Sequence, residues 1–405
     1  MTMNSKAYNG KHILVLEGYC KQSLPFIRGF KKLGCEVTVL CGTKWACGYW
    51  SRYADHKILG VCDLHKHVES EKYIVELIKT GKYDMVFAPF EFSARILSHH
   101  KEELSQYAII YANEPEVFDK ANNKEEVMRV CMENGIPCPQ TFFGIEKVED
   151  IDGKVKFPVI IKPHSMYGAR GFHIFHDGRE MKAFVKENSI NLKDYVIQEY
   201  IPSGSRVMGG NVMVDRNGAV KSSYLYICEH LYPEEGGTST LNGIYVRPEV
   251  NVYCEKLVQL MGLHGEIGVD LMLDCRDNVC KVIEINPRPV HGIALGFYAG
   301  VNHAQQILED AFGEDVTPME VTKPSTASRI GQTDMLWFLK SKDRFRRMSW
   351  RLGYKTVKEQ MFYWDDPLPW FAFLLEGLKD YKKKMAEKKG NPALQNVVGG
   401  GNLLV

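Results

Sequence analysis

The stretch "VDLMLDCRDNVCKVIEINPR", residues 269–288, decides how this chain is read. Two apolar runs flank a polar turn, and each alternates as a half-buried strand does, with successive side chains on opposite faces. Val269, Leu271 and Leu273 therefore point one way and Asp270 and Asp274 the other, while Ile283 and Ile285 oppose Glu284 and Asn286. If the turn is the three residues Arg276 to Asn278, Asp270 falls directly across from Glu284. Like charges facing each other on a sheet are destabilising unless something positive sits between them. Ligands that are all oxygen suit Mg²⁺, which keeps some of its waters and takes further ligands from substrate phosphates. A solvated hairpin face is the ordinary alternative. Asn286-Pro287-Arg288 weighs against it, because an arginine held between Pro287 and Pro289 is placed as a clamp on phosphoryl or acyl charge.

A second stretch, "FPVIIKPHSMYGARGFHIF" at 157–175, starts as a buried strand and breaks into a loop after Lys162, with Gly168 and Gly171 around Arg170. Glycine is common in any tight turn. Paired with an arginine, it also lets backbone N–H groups and a cation approach phosphates. The expectation is a lid over a triphosphate.

Composition narrows the field. A chain of 405 residues is long for one hydrophobic core, so two or three compact units are expected. With 51 basic against 50 acidic residues there is no basic excess of the kind that nucleic-acid binding needs. Eleven cysteines, an odd count without a Cys-x-x-Cys pair, point to reduced thiols in a cytoplasmic compartment and to neither a disulfide frame nor a zinc site. The N-terminus lacks a signal-peptide pattern. The densest apolar patch, "PLPWFAFLL" at 367–375, falls well short of the ~20 residues that cross a bilayer.

Residues 12–112 alternate in the βαβ manner. "HILVLEG", "CEVTVLC", "YDMVFAPF" and "YAIIYA" read as strands, with helices near 22–33, 70–80 and 92–104 between them. This predicts a parallel sheet covered on both faces, a Rossmann-like α/β unit. Its first strand-helix turn, "EGYCKQS", has no Gly-x-Gly-x-x-Gly, so a dinucleotide site there is unsupported. From about 113 an α+β module follows: an Asn-capped helix in "NNKEEVMRVCMENG", a strand in "YVIQEYIPSG", and a hairpin turning at Asp215 to Gly218. Then come a loop "PEEGGTSTLNG" and a helix near 249–262. Beyond 316, aromatics mix with lysine and arginine runs. That segment is expected to be a mostly helical extension, packed on its own protein or a second copy, or resting on an anionic membrane face. The division expected is 1–112, 113–315 with a lid at about 158–203, and 316–405.

"IIKPHSMYGARGF", "VIQEYI" and "DLMLD...VIEINPR", in that order over about 113–300, resemble the ATP-grasp superfamily of carboxylate-activating ligases, biotin carboxylase and carbamoyl phosphate synthetase. The preceding residues resemble its pre-ATP-grasp domain. The resemblance implies an ATP-grasp module of two subdomains clamping ATP, with Mg²⁺ as two ions, or Mn²⁺. It makes Lys124 and Lys162 the phosphate contacts and 164–171, with Gly168, Arg170 and Gly171, the covering loop. In the hinge, Gln198 would face the exocyclic amine, while the Glu199 carbonyl and the Ile201 N–H, either side of Tyr200, read the adenine edge. Asp270, Glu284 and Asn286 match the metal ligands, with Glu284 bridging, and Arg288 matches the catalytic arginine. The stretch after the hinge, Ser203 to Arg206, lacks the acidic residue that often holds the ribose.

The implied chemistry is ATP-dependent ligation of a small carboxylate to an amine through an acyl phosphate, with Lys162 and Arg288 holding charge. Bicarbonate-dependent carboxylation and nucleotide binding without turnover are the competing readings. Arg247 and His291 are candidate substrate contacts.

Overall fold

The computed structural model describes residues 8–163, 172–202, 204–234 and 237–390, the last eleven of these by backbone only. Three sheets organise them. The first joins β1 (His12–Val15), β2 (Glu36–Cys41), β3 (His56–Leu59), β4 (Met85–Phe87) and β5 (Ile109–Tyr111), all parallel, in the order β3-β2-β1-β4-β5. β3 is absent from the sequence reading. Its "HKIL" is an exposed edge with no alternation, so only the pairing to β2 makes it a strand. Helix Ser23–Lys32 covers one face with Phe26, Ile27 and Phe30, and helices His67–Lys79 and Glu91–His99 cover the other.

The second sheet is β6 (Thr141–Phe142), β7 (Val159–Pro163), β8 (His173–Phe175) and β9 (Tyr195–Glu199), antiparallel in the order β6-β9-β7-β8. Helix Gly178–Glu187, capped by Asp177, closes its small core with Met181 and Val185. The phosphate-covering loop expected at 164–171 lies outside the described residues.

The third sheet carries β10 (Arg206–Val214), β11 (Val220–Tyr232), β12 (Thr238–Tyr245), β13 (Gly265–Leu273), β14 (Cys280–Asn286), β15 (Thr326–Arg329) and β16 (Thr356–Glu359), in the order β14-β13-β10-β11-β12-β15-β16. The β10–β11 turn falls where expected, closed by Gly218 N–H donating to the Asp215 carbonyl. Helices Lys124–Glu133 and Pro248–Leu260 bury Val127, Cys131, Cys254 and Leu257 against one face.

Two expectations change. "TSTLNG", read as loop, is strand β12, because β11 and β15 supply ladder partners that no local pattern announces. The stretch after 316, read as a mostly helical extension, adds β15 and β16 to the third sheet and then turns back onto the first. Its Asp366 pairs with Arg28 at 3.0 Å, both side chains nearly fully buried, while Phe373 packs with Leu24 and Cys47. Helix His303–Ala311 also joins the first core, where Gly29 makes room for Ala304, only 2.5 Å from where a Cβ would lie. All eleven cysteines are free thiols. Among the described residues, no helix is long and apolar enough to cross a membrane.

Candidate active site

β13 and β14 pair antiparallel with Asp270 opposite Glu284 and Gly268 opposite Asn286, the register read from the sequence. The turn is one residue longer than expected: Asp274 N–H donates to the Val279 carbonyl at 2.9 Å, and Asn278 adopts φ 58°. A bulge between these pairs and Leu271–Val282 takes up the extra residue. It leaves Val282 and Ile285 in the core and Ile283 only half-buried, so the expected pairing of Ile283 with Ile285 on one face does not hold.

Asn286 Nδ2 donates to Asp270 Oδ2 at 3.1 Å, and Arg288 donates to Asn286 Oδ1 at 2.9 Å. Burial first and Glu284 second push the Asp270 carboxyl up from its ordinary value. Burial pushes Glu284 up as well, but Lys124, Lys162 and a hydrogen bond with Asp270 outweigh it and leave Glu284 lowered. Two half-buried carboxyls facing each other with an amide beside them, one pushed toward its neutral form, are a donor set suited to a divalent oxygen-bound cation. On β10, Gly209 lies opposite Asp270, and its missing side chain admits the Tyr226 ring; a Cβ there would collide with it.

Lys124 opens its helix beside the cap Asn123, and its Nζ stands 3.2 Å from Glu284 Oε2. Lys162, near the end of β7, is pushed down by burial, and Glu284 and Lys124 both lie close enough to act on it. The two lysines therefore approach Glu284 from different elements, Lys124 from its helix and Lys162 from the second sheet. Gly168, Arg170 and Gly171 lie outside the described residues.

The hinge differs from expectation at Gln198. Its side chain is buried and donates to Thr141 Oγ1 at 3.0 Å, because β6 pairs on that side, so it braces the hinge and does not face a base. Glu199 accepts from Gln140 N–H, Tyr200 N–H donates to the Pro158 carbonyl, and the Ile201 N–H has no backbone partner among the described residues. The Glu199 carboxylate also meets Arg276 at 2.5 Å. Arg276 and Lys281 in turn hold Asp274 well below the usual carboxylate range. That network ties β9 to the β13–β14 turn.

Arg247 is not brought to the cleft. It donates to the Asn278 carbonyl at 3.1 Å and lies by Cys280, on the core side of β14, opposite Glu284. The sequence reading is corrected there: helix Pro248–Leu260 packs on that face and carries Arg247 with it. His291 does lie close to Arg288.

Residues that the sequence reading missed come from the first sheet. Arg288 reaches Glu91 Oε2 at 3.4 Å and lies 5.0 Å from the centre of the Phe90 ring. Glu17, buried and at φ 51°, is pushed up to about 7 by burial, although hydrogen bonds from Ser93 and Tyr19 oppose the shift. Glu17 follows β1, and Phe90 and Glu91 follow β4. The rule that ligands sit beyond the carboxyl ends of parallel strands was the signal available for finding them.

Residues 121–292 match the family model of the ATP-grasp domain. This segment is an ATP-grasp domain. Over 261 residues the chain is 26% identical to a D-aspartate ligase of Enterococcus faecium strain Aus0004, covering 57% of this chain and 59% of that protein. It is 22% identical over 237 residues to the carbamoyl phosphate synthase large chain of Methanosarcina barkeri strain Fusaro, covering 54% of this chain and 21% of that one. The chain thus spans 59% of the length of the first of these relatives and 21% of the second. Among solved structures, the biotin carboxylase domain of Hydrogenobacter thermophilus 2-oxoglutarate carboxylase, a dimer with MgADP, ADP and bicarbonate, has a similar fold. There the TM-score is 0.62 at 19% identity, over 75% of this chain and 70% of that one.

Proposed function

We propose that the ATP-grasp cleft joins a carboxylate to an amine through an acyl phosphate, with cleavage of ATP to ADP and phosphate. The observation that carries this is the meeting of Lys124, Asp270, Glu284, Asn286 and Arg288 in one hydrogen-bonded and ion-paired cluster with Lys162 beside it. Lys124 and Lys162 would hold the nucleotide phosphates, and 164–171 would cover them. The Glu199 carbonyl and Ile201 N–H would take the adenine edge, with Gln198 as a brace. Asp270, Glu284 and Asn286 would hold Mg²⁺, as two ions with Glu284 shared; Mn²⁺ would suit the same oxygens. Bound by those oxygens, Mg²⁺ would supply neutralisation of phosphate charge.

The substrate carboxylate attacks that phosphorus, the bond to ADP breaks, and Arg288 steadies the charge gathering on the transferred group. The amine then adds to the acyl carbon, sheds a proton, and phosphate leaves. No nucleophilic side chain is needed. A relative named D-aspartate ligase fits an amino acid as the amine. The same reading treats 1–112 as a Rossmann-like pre-ATP-grasp unit, 113–315 as the grasp, 316–405 as an extension, and the setting as cytoplasmic. Incubation with MgATP, a panel of acids and hydroxylamine should yield a hydroxamate with ADP release. No hydroxamate with any acid, and no ADP with any acid and amine pair, would refute it. ADP release that needs bicarbonate but no amine would put a carboxylase in its place.

A further inference from the structure

The first sheet reverses its strand order between β1 and β4, and the crevice beyond the carboxyl ends of strands at such a reversal is a preferred place for ligands. Two turns line it, 17–22 after β1 and 88–93 after β4. They are fastened together by Glu17, whose carboxylate accepts from Ser93 N–H at 3.3 Å, from the Ser93 hydroxyl and from Tyr19 at 3.2 Å. The Glu17 oxygens are thereby taken up within the two turns, and no ion pair joins them to Lys21 among the described residues.

Lys21, on the same turn, is 9% exposed and pairs with no carboxylate among the described residues. The centre of the Phe373 ring is 5.8 Å from the Lys21 Nζ. A buried ammonium without an anion is strongly disfavoured. Two further buried donors, Gln22 Nε2 on this turn and Arg288 Nε, lack an acceptor among the described residues. Burial first, and then the charges of Lys21 and Arg288, hold His291, from the loop after Arg288, well below its ordinary value. Among the described residues, a lysine without an ion pair and two unfilled donors thus stand at these turns, and the carboxylates of the turns themselves, Glu17 and Glu91, already have partners.

We infer that Lys21, with Arg288 and His291, forms a subsite for an anionic group on a substrate, a carboxylate or a phosphate other than the one that reacts. The inference rests on the ligase reading and makes it narrower: either the acid carries a second anionic group besides the one that reacts, or the amine carries one, as an amino acid does in its carboxylate. Lys21 binds that group and positions the substrate against the metal side of Arg288.

The test uses the full chain with MgADP bound, titrated calorimetrically with D-aspartate as a dicarboxylate probe and glycerol 3-phosphate as a phosphate monoester probe. At least one should bind; which one does identifies the anion. Lys21→Met should weaken that probe at least tenfold with MgADP affinity held within twofold, and Lys21→Arg should restore most of it. Lys21→Met should also raise the melting temperature of the ligand-free chain, whereas a lysine with a structural role would lower it on replacement. Equal probe affinity in Lys21→Met and the wild type, or no binding of either probe by the MgADP-loaded wild type, would overturn the subsite. A wild type that fails to bind MgADP at all would instead overturn the ligase reading, and the subsite with it.

Discussion

Replacing Asp270 by asparagine should make the ligand-free chain more stable and at the same time remove most of its response to magnesium nucleotide. Asp270 and Glu284 are directly paired across β13 and β14, and Cβ atoms of such pairs stand about 5 Å apart. Two unit charges at about 5 Å and an effective dielectric of about 20 repel by ~3 kcal/mol. Lys124, 3.2 Å from Glu284, offsets part of this, and the upward push on Asp270 means that proton uptake relieves more. About 1–2 kcal/mol then remains for the variant to recover at pH 8. In a cooperative unit of about 150–250 residues that is a rise of about 2–8 °C in melting temperature. With MgADP in hundredfold excess over its Kd the wild type should gain about 2.7 kcal/mol, and the variant, short of one charged ligand, under about 1 kcal/mol. Thermal melts of both proteins at pH 8, with ADP alone and with MgADP, measure both effects. A ligand-free variant that melts below the wild type would sink the argument, as would one that gains as much from MgADP.

Arg288→Lys keeps the charge but not the planar fork that reaches both Asn286 and Glu91, so hydroxamate formation should fall about 10²–10³-fold with MgADP affinity within a few-fold. Asp366→Ala leaves Arg28 buried and unpaired, which should cost about 3–5 kcal/mol in urea unfolding and expose the segment after 366 to proteolysis; replacing Arg28 by Met as well should recover part of it. Asp274 is held low by Arg276 and Lys281, so its contribution is complete above the ordinary aspartate value of about 3.9 and is lost as pH falls below it. The stability gap between wild type and Asp274→Asn should therefore be widest above about pH 5 and close towards pH 2, and a gap independent of pH would refute the linkage.

How far the site could be read from the sequence varied with how local its signals are. Alternation in 269–288 put Asp270 opposite Glu284, and the structure agrees, although a four-residue turn and a bulge do together what a shorter turn was expected to do alone. Lys124 was visible as the residue after an Asn cap and Lys162 as the end of an apolar run, and both arrive at Glu284. Gln198 and Arg247 were misplaced because a side chain's partner depends on which strand or helix lies beside it. Thr141 claims the first, and the core side of β14 claims the second. β3, β12 and the strands after 316 were missed for a related reason: edge and late-joining strands take their hydrogen bonds from neighbours far away in the chain.

By itself the sequence determined the parallel order of helices and strands at the start, the hairpin with its acidic pair, and the lysines that face it. Those follow from periodicity, caps and turns, which act over a few residues. Only the tertiary structure decided that the turns after β1 and β4 meet Arg288, that Lys21 has no carboxylate partner among the described residues, and that residues after 316 lock both large sheets together. Such contacts join residues up to hundreds of positions apart, and they are fixed by how whole layers pack, which no short window of sequence contains.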